Sequence, residues 1–424
     1  MGIALVIVFV LGYLAIAFEH PLNVNKAASA LITGTLCWTI YILSSHNPDH
    51  VNEELLSNLG EIASILFFLL GAMTIVEIID GYNGFEFIKT KLRTRSKSLL
   101  LVFIAIITFF LSALLDNLTT SIVMTSLCVK LLKEKNDRLW FAGIIIISAN
   151  AGGAWSPLGD VTTTMLWIGG QITALNIIIK LILPSLICCL VPVLIVSFKF
   201  RGQKIDPPVV NGLPEEDLKQ GKIMMIVGVL LLLFVPFFKI FTGLPPFMGM
   251  IMALGVIWIF TSVLHFRLGF ESKKRVSVAS ALQQIDSPSI LFFLGILLAV
   301  AALQANGLLH DLATVLSSTF KNDYLIGISL GILSAIIDNV PLVAAAQGMY
   351  PLTQYPTDHN FWEFLAFTAG TGGSMIIIGS AAGVAVMGIE KIDFLWYMTR
   401  IGWLAILGFA AGIVVFILQA MFLF

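Results

Sequence analysis

The chain has 424 residues, is 58% hydrophobic, carries only 12% charged residues and has a net charge of −1. With a mean hydropathy of +0.97 and most apolar runs near or above the roughly 18–20 residues that cross a bilayer, it is not a soluble globular domain. It reads as an all-α polytopic membrane protein with the lipid bilayer as its solvent and no nucleic-acid partner; the short alternating segments of a β-barrel are absent.

The first apolar run, 2–18, has a small-residue end at Ala15-Ile16-Ala17 but no basic segment before it, so it reads as a span, not a secretory signal. A second run covers 27–44. The segment 45–59 has no Lys or Arg and carries Asp49, Glu53 and Glu54, which places it outside as a loop. After the span 60–79 comes 98–129, too long for one ordinary crossing. It is flanked by Lys89, Lys91, Arg93, Arg95 and Lys97 before and Lys130, Lys133, Lys135 and Arg138 after. Basic residues collect on the cytoplasmic side, so both ends belong there and the run must enter and return, with Asp116-Asn117 at its tip.

Runs at 139–172 and 174–198 follow, then a basic linker, 199–222, with Pro207-Pro208 and Gly212. The second half repeats the plan: spans 223–241, 245–264 and 289–305, a run 324–350, then 361–389 and 394–422. The 265–288 loop is basic and lies inside; 306–323 and 351–360 are poor in basic residues and lie outside. Pro341 weakens a continuous helix just past Asp338-Asn339, so 324–350 is the second hairpin. The count is ten spans plus two hairpins, with Lys26 among the cytoplasmic cations.

The halves match in detail. Ser64-Ile-Leu-Phe-Phe-Leu69 recurs as Ser289-Ile-Leu-Phe-Phe-Leu294, Ser112-Ala-Leu-Leu-Asp116-Asn117 as Ser334-Ala-Ile-Ile-Asp338-Asn339, and Gly152-Gly153 as Gly372-Gly373. An odd number of crossings separates them. The expected architecture is therefore two inverted repeats, 1–198 and 223–424, each of five spans and one re-entrant hairpin, a pattern shared by many secondary transporters.

After each hairpin comes a span that cannot be one clean helix. In the first half it reads Asn150-Ala-Gly-Gly-Ala-Trp-Ser-Pro157-Leu-Gly159-Asp160-Val-Thr162-Thr163-Thr164; in the second, Gly370-Thr-Gly-Gly-Ser374 leads to Gly379-Ser380. Unwound backbone at membrane depth is tolerated where it lines a cavity or binds something. Freed carbonyls, hydroxyls, Asn150 and Asp160 are hard oxygen donors, suited to a small cation. The carboxylates are Asp116, Asp160 and Asp338, and no Lys or Arg lies in either hairpin interior or either break. Such a site attracts Na+, Li+ or H+ and repels an anion. Carboxylates removed from water favour their protonated form, so a proton and a cation can compete for the same oxygens. No cofactor is called for. Cys37, Cys128, Cys188 and Cys189 sit in apolar runs without metal spacing, and Lys180, Lys239 and Arg400 are placed to snorkel.

Over nearly its whole length the chain resembles the NhaD-type sodium/proton antiporters, within the ion-transporter superfamily that includes dicarboxylate and arsenite carriers. The likeness is most specific at Ser112–Thr120, Asn150–Thr163, Ser334–Asn339 and Gly370–Ser374. It implies a usually dimeric transporter of monovalent cations and protons that moves by an elevator-like mechanism, here in a bacterial cytoplasmic membrane. The implied ion-handling residues are Asp116, Asn117, Asn150, Asp160, Thr162, Thr163, Ser334, Asn339 and Ser374, with Asp116 and Asp160 as Na+ or Li+ ligands. One departure is the apolar run Met375-Ile-Ile-Ile378, where another hydroxyl is expected. A sodium-coupled anion symporter on the same scaffold would want neutral tips in place of Asp116 and Asp338. An intramembrane aspartyl protease would want a glycine at position 157 and a Tyr-Asp partner.

Overall fold

The computed structural model describes residues 2–17, 19–22, 24–45, 47–86, 94–205, 214–268, 277–320, 322–336 and 338–423. Lys89, Lys91 and Arg93 of the first basic cluster, Pro207, Pro208 and Gly212 of the linker, and the loop cations Lys273, Lys274 and Arg275 lie outside the described residues. In chain order the helices are α1 (Gly2–Ala17), α2 (Glu19–Leu22), α3 (Lys26–Ser44), α4 (Pro48–Gly81), α5 (Lys97–Leu115), α6 (Asn117–Leu131), α7 (Lys135–Ala154), α8 (Val161–Ile168) and α9 (Ala174–Lys199). They continue as α10 (Glu215–Thr242), α11 (Pro246–Leu268), α12 (Val278–Gln284), α13 (Ser287–Ala305), α14 (Leu308–Phe320), α15 (Asp323–Leu333), α16 (Asn339–Met349), α17 (Asn360–Gly372) and α18 (Ala381–Glu390). A π-helical turn, Met398–Gly402, joins α19 (Phe394–Tyr397) to α20 (Trp403–Phe422). Among the described residues there is no strand, only an isolated bridge between Ser96 and Lys204.

Among the described residues eight helices are long and apolar enough to cross a bilayer, α19–α20 counting as one. Many of their apolar side chains point outward, Leu43, Ile259 and Phe241 among them, as a lipid-solvated surface requires. The protein is an integral, multi-pass, all-helical membrane protein. Several segments read as loops or linker are helical in part, among them 215–222 at the start of α10, 278–284 as α12, 48–59 and 308–320. Residues 48–59 extend α4 by several turns, because Asn47 caps the start by accepting from His50 N, Pro48 fits a first turn and Asp49 complements the dipole. Residues 308–320 form α14, whose leucines at helical spacing give it one apolar side.

Polar ties sort the bundle ends. At one end Lys97 Nζ lies 2.5 Å from Asp137 Oδ2, Arg138 Nε lies 3.0 Å from Glu390 Oε1, and the Lys199 ammonium sits 3.5 Å over the Trp140 ring. The Lys97–Asp137 pair brings the start of α5 beside the start of α7, so the chain through α5 and α6 returns to the end it left. At the other end Tyr355 donates to Asp323 (2.6 Å), which does the same for α15 and α16, and Thr173 donates to Asp358. The helix α5 has 19 residues against 11 for α15, so the two are not equal in length.

Sequence-distant helices interlock: α3 packs along α13, and α9 along α20. Lys180 does not snorkel as expected. It is 7% exposed, bonds Asp358 O and Asn360 Oδ1, and lies 3.4 Å from Glu363 Oε1, which also accepts from Asn176. Glu363, fully buried, supplies the countercharge that holds the ammonium in. Lys180→Met strands that carboxylate and is expected to cost about 3 kcal/mol or more, read as a lower unfolding midpoint in detergent.

Candidate functional site

The two breaks in α7–α8 and α17–α18 are built alike. A Cβ on Gly152 would stand 2.2 Å from Phe109 O, and one on Gly372 would stand 2.1 Å from Gly331 O. Bare glycine therefore lets α7 lie against α5 and α17 against α15, backbone to backbone. Hydroxyls then staple each pair: Ser112 Oγ donates to Ala149 O at 2.6 Å, and Ser334 Oγ to Ala369 O at 2.7 Å. Past each break a polar side chain caps the half-helix, Asp160 accepting from Thr162 N (2.8 Å) and Ser380 from Gly383 N (3.2 Å).

Asp160 is the centre of the polar network. It is 2% exposed. Oδ1 accepts from Thr162 N at 2.8 Å and Thr162 Oγ1 at 2.7 Å; Oδ2 accepts from Asn117 Nδ2 at 2.5 Å; and Asn339 Nδ2 lies 3.3 Å from both oxygens. The asparagines of both hairpin tips thus meet on one carboxylate. Asn117 also donates to Asn150 Oδ1 (3.0 Å), and Asn150 Nδ2 donates to Ser374 Oγ (2.9 Å) and Ser380 Oγ (3.0 Å). Among the described residues no Lys or Arg pairs with Asp160. A carboxylate buried without a countercharge is costly, and the hydrogen bonds offset only part of that cost.

Asp116 and Asp338 begin the returning arms. Asp116 accepts from Thr119 N (2.8 Å) and Thr119 Oγ1 (2.9 Å), capping α6. Its backbone has φ 76° and ψ 160°, a region essentially confined to glycine, at a cost on the order of 1–3 kcal/mol. Asp338 caps α16 through Val340 N at 3.2 Å. The starts of α6, α8, α16 and α18 all border one cavity of about 60 Å³, which Asp116, Asp160 and Asp338 line. Helix starts attract anions, but three of these four are already capped by carboxylates and the fourth by a hydroxyl. No three Asp, Glu, His or Cys residues among those described are grouped as a tight metal cluster; the oxygens are spread around the cavity.

Of the residues singled out in the sequence, Asn117, Asn150, Asp160, Thr162, Asn339 and Ser374 form one hydrogen-bonded network. Asp116 and Asp338 border the same cavity from the tips. Thr163 Oγ1 donates to Asp160 O at 2.9 Å, supporting the turn. Ser334 belongs to the staple above; its hydroxyl is taken up by a carbonyl and does not join the network. Ser380, which the sequence sets where the first half has Asp160 but which is not among the implied ion-handling residues, joins the network through Asn150. One neighbour escaped the sequence reading. Lys26 was counted as a cytoplasmic loop cation, yet it borders the cavity with Nζ 4.0 Å from Asp338 Oδ2. The expectation that the site has no basic neighbour is corrected accordingly: the second tip has one. One ammonium thus stands beside three carboxylates around the cavity.

Broken helices thus meet in a polar interior, and the comparisons identify the class as a membrane transporter. The family described as "Citrate transporter" matches residues 3–372. "Sodium/proton antiporter 1" of Arabidopsis thaliana is 45% identical over 98% of this chain and 72% of its own. "Sodium/proton antiporter 2" of the same plant is 44% identical over 97% and 98%. "Na(+)/H(+) antiporter NhaD" of Vibrio cholerae is 30% identical over 99% and 92%. The chain belongs to the NhaD-type sodium/proton antiporter family within that broader transporter family.

Proposed function

We propose that the chain exchanges Na+ or Li+ for H+ across its membrane, the cation and the proton competing for Asp160 with Asp116 alongside. The observation that carries this reading is the buried Asp160 carboxylate, held by amides of both hairpin tips with no basic partner among the described residues. Ligation by carboxylate, hydroxyl and amide oxygen suits a hard monovalent ion. The printed names of the relatives support the same pair of ions. Because one set of oxygens serves both ligands, each leaves as the other binds, and the flux of one drives the other.

The paired glycine contacts, serine staples and capped half-helices support the reading of two inverted repeats, 1–198 and 223–424, with 98–129 and 324–350 as re-entrant hairpins. On this reading the hairpins and broken helices travel together against the remaining helices as an elevator. The working form is a homodimer in a bacterial cytoplasmic membrane, the end carrying Lys97, Arg138 and Lys199 facing the cytoplasm.

The test is collapse of a preformed pH gradient in inside-out vesicles on adding NaCl, LiCl or KCl. Na+ or Li+ is expected to dissipate the gradient. If no cation does so at any pH from 6 to 9.5, the exchange reading fails, and labelled dicarboxylates are then the substrates to try.

A further inference from the structure

Lys26 opens α3, and its placement follows from the helix start. Asn25 accepts from Ala27 N at 2.8 Å and fixes the first turn. The Lys26 ammonium then stands 4.0 Å from Asp338 Oδ2 and 4.6 Å from the centre of the Phe292 ring on α13. The two side chains are 25% and 18% exposed, so the pair lies at the edge of the cavity and not on an open surface. Asp116 and Asp160 line the same cavity. Most of the remaining lining is apolar, Phe68, Met250 and Phe293 among it. The three carboxylates are therefore unequally provided for. Asp338 has a cation fixed in the chain; Asp116 and Asp160 have none among the described residues.

We propose that Lys26 is a tethered counter-ion for Asp338, which keeps the second hairpin tip from taking up a transported cation and so sets how many cations the site binds. A surface ion pair would do little. This one stands at the edge of a cavity bordered by apolar side chains, where an unpaired carboxylate recruits whatever cation is at hand. With Lys26 present, the chain's own ammonium fills that role. Without it, a second dissolved ion does. The aromatic face of Phe292 holds the ammonium against rotation into water. This inference rests on the cation reading above; it assigns the two halves different tasks, uptake to Asp116 and Asp160, and fixed charge balance to Asp338.

The experiment measures Na+ binding to the purified full chain by calorimetry, and charge moved per Na+ in proteoliposomes at set membrane potentials. Wild type, Lys26→Met, Lys26→Arg, Asp338→Asn and the double variant Lys26→Met/Asp338→Asn are compared. Lys26→Met is expected to bind one more Na+ per chain than wild type and to move a different charge per turnover. Lys26→Arg keeps the wild-type count, and the double variant returns to it. Asp338→Asn, which leaves an unbalanced ammonium, keeps the count but weakens Na+ binding roughly tenfold. If Lys26→Met does not fold, Asp338→Asn and the double variant decide the matter: recovery of affinity in the double variant supports the pair. An unchanged count in a folded Lys26→Met, or wild-type affinity in Asp338→Asn, overturns the role of Lys26 while leaving exchange intact. A wild type that neither binds nor moves Na+ overturns the cation reading itself.

Discussion

Replacing Asp160 with Asn is expected to abolish cation-driven proton flux while leaving the protein folded. The change is nearly isosteric, and the carbonyl oxygen of the new amide can still accept from Thr162 N and Thr162 Oγ1. The other oxygen becomes an NH2 group, which then faces the amide donors of Asn117 and Asn339, 2.5 Å and 3.3 Å away in the wild type. Donor meets donor, and the tips lose their common acceptor. The substitution also removes the negative charge for which cation and proton compete. Losing one buried charged ligand costs on the order of 3–5 kcal/mol, which is a fall in Na+ affinity of at least about 100-fold. Asp116→Asn should be milder. An Asn also serves as an N-cap, so α6 keeps its start, and the Asp160 network is untouched. We expect Asp116→Asn to raise the half-saturating Na+ concentration about tenfold with transport still measurable. The check is the pH-gradient assay over a range of NaCl, with Li+ in parallel. Equal loss in both variants would make Asp116 a direct ligand of the same rank; full activity in Asp160→Asn would remove Asp160 from the site altogether.

Much of this site is legible in the sequence. Hydrophobicity located the spans, and a carboxylate with an amide in the middle of an apolar run marked each tip. Glycine and proline beside Asp160 marked the break, because no helix runs cleanly through that composition. What stayed hidden was pairing across the repeats. That Asn117 and Asn339, in different halves, converge on one oxygen pair depends on how the two hairpins cross, and local composition carries no trace of it. Lys26 illustrates the same limit. A lysine at the mouth of an apolar run has the pattern of an interfacial anchor, and only the packing of α3 on α13 turns its side chain toward Asp338. Ser334 shows a different limit: it repeats Ser112 in sequence, and only the structure shows that each hydroxyl donates to a carbonyl of the neighbouring helix. The acidic stretch 48–59 misled for a further reason. Absence of basic residues fixes which side of the membrane a segment occupies, but its helicity depends on the Asn47 cap and Pro48, which continue α4 into water.

The strongest structural dependence falls on the glycines that seat the broken helices. Gly152→Ala places a methyl carbon 2.2 Å from Phe109 O and 2.9 Å from its Cα; Gly372→Ala places one 2.1 Å from Gly331 O. Both obstacles are main chain, so no rotamer change relieves them, and α7 must move off α5, or α17 off α15. That shift lengthens the serine staples and carries Asn150 away from Asn117, so the harm reaches the site. Overpacking of this kind costs about 3 kcal/mol or more, and the two substitutions together should prevent accumulation of folded protein. Gly60→Ala in α4 and Gly255→Ala in α11 are the controls, since a Cβ at either position meets nothing within 4 Å. There the loss of glycine's backbone entropy in the unfolded chain should leave stability equal or higher by about 0.5–1 kcal/mol. The measurement is the melting midpoint of detergent-solubilised protein by size-exclusion after heating, alongside Na+-driven proton flux. The expected order places Gly152→Ala and Gly372→Ala far below wild type and both controls at or above it. A Gly152→Ala protein that melts and transports like Gly60→Ala would mean that α5 and α7 are not in backbone contact in the membrane, and the shared construction of the two breaks would lose its main support.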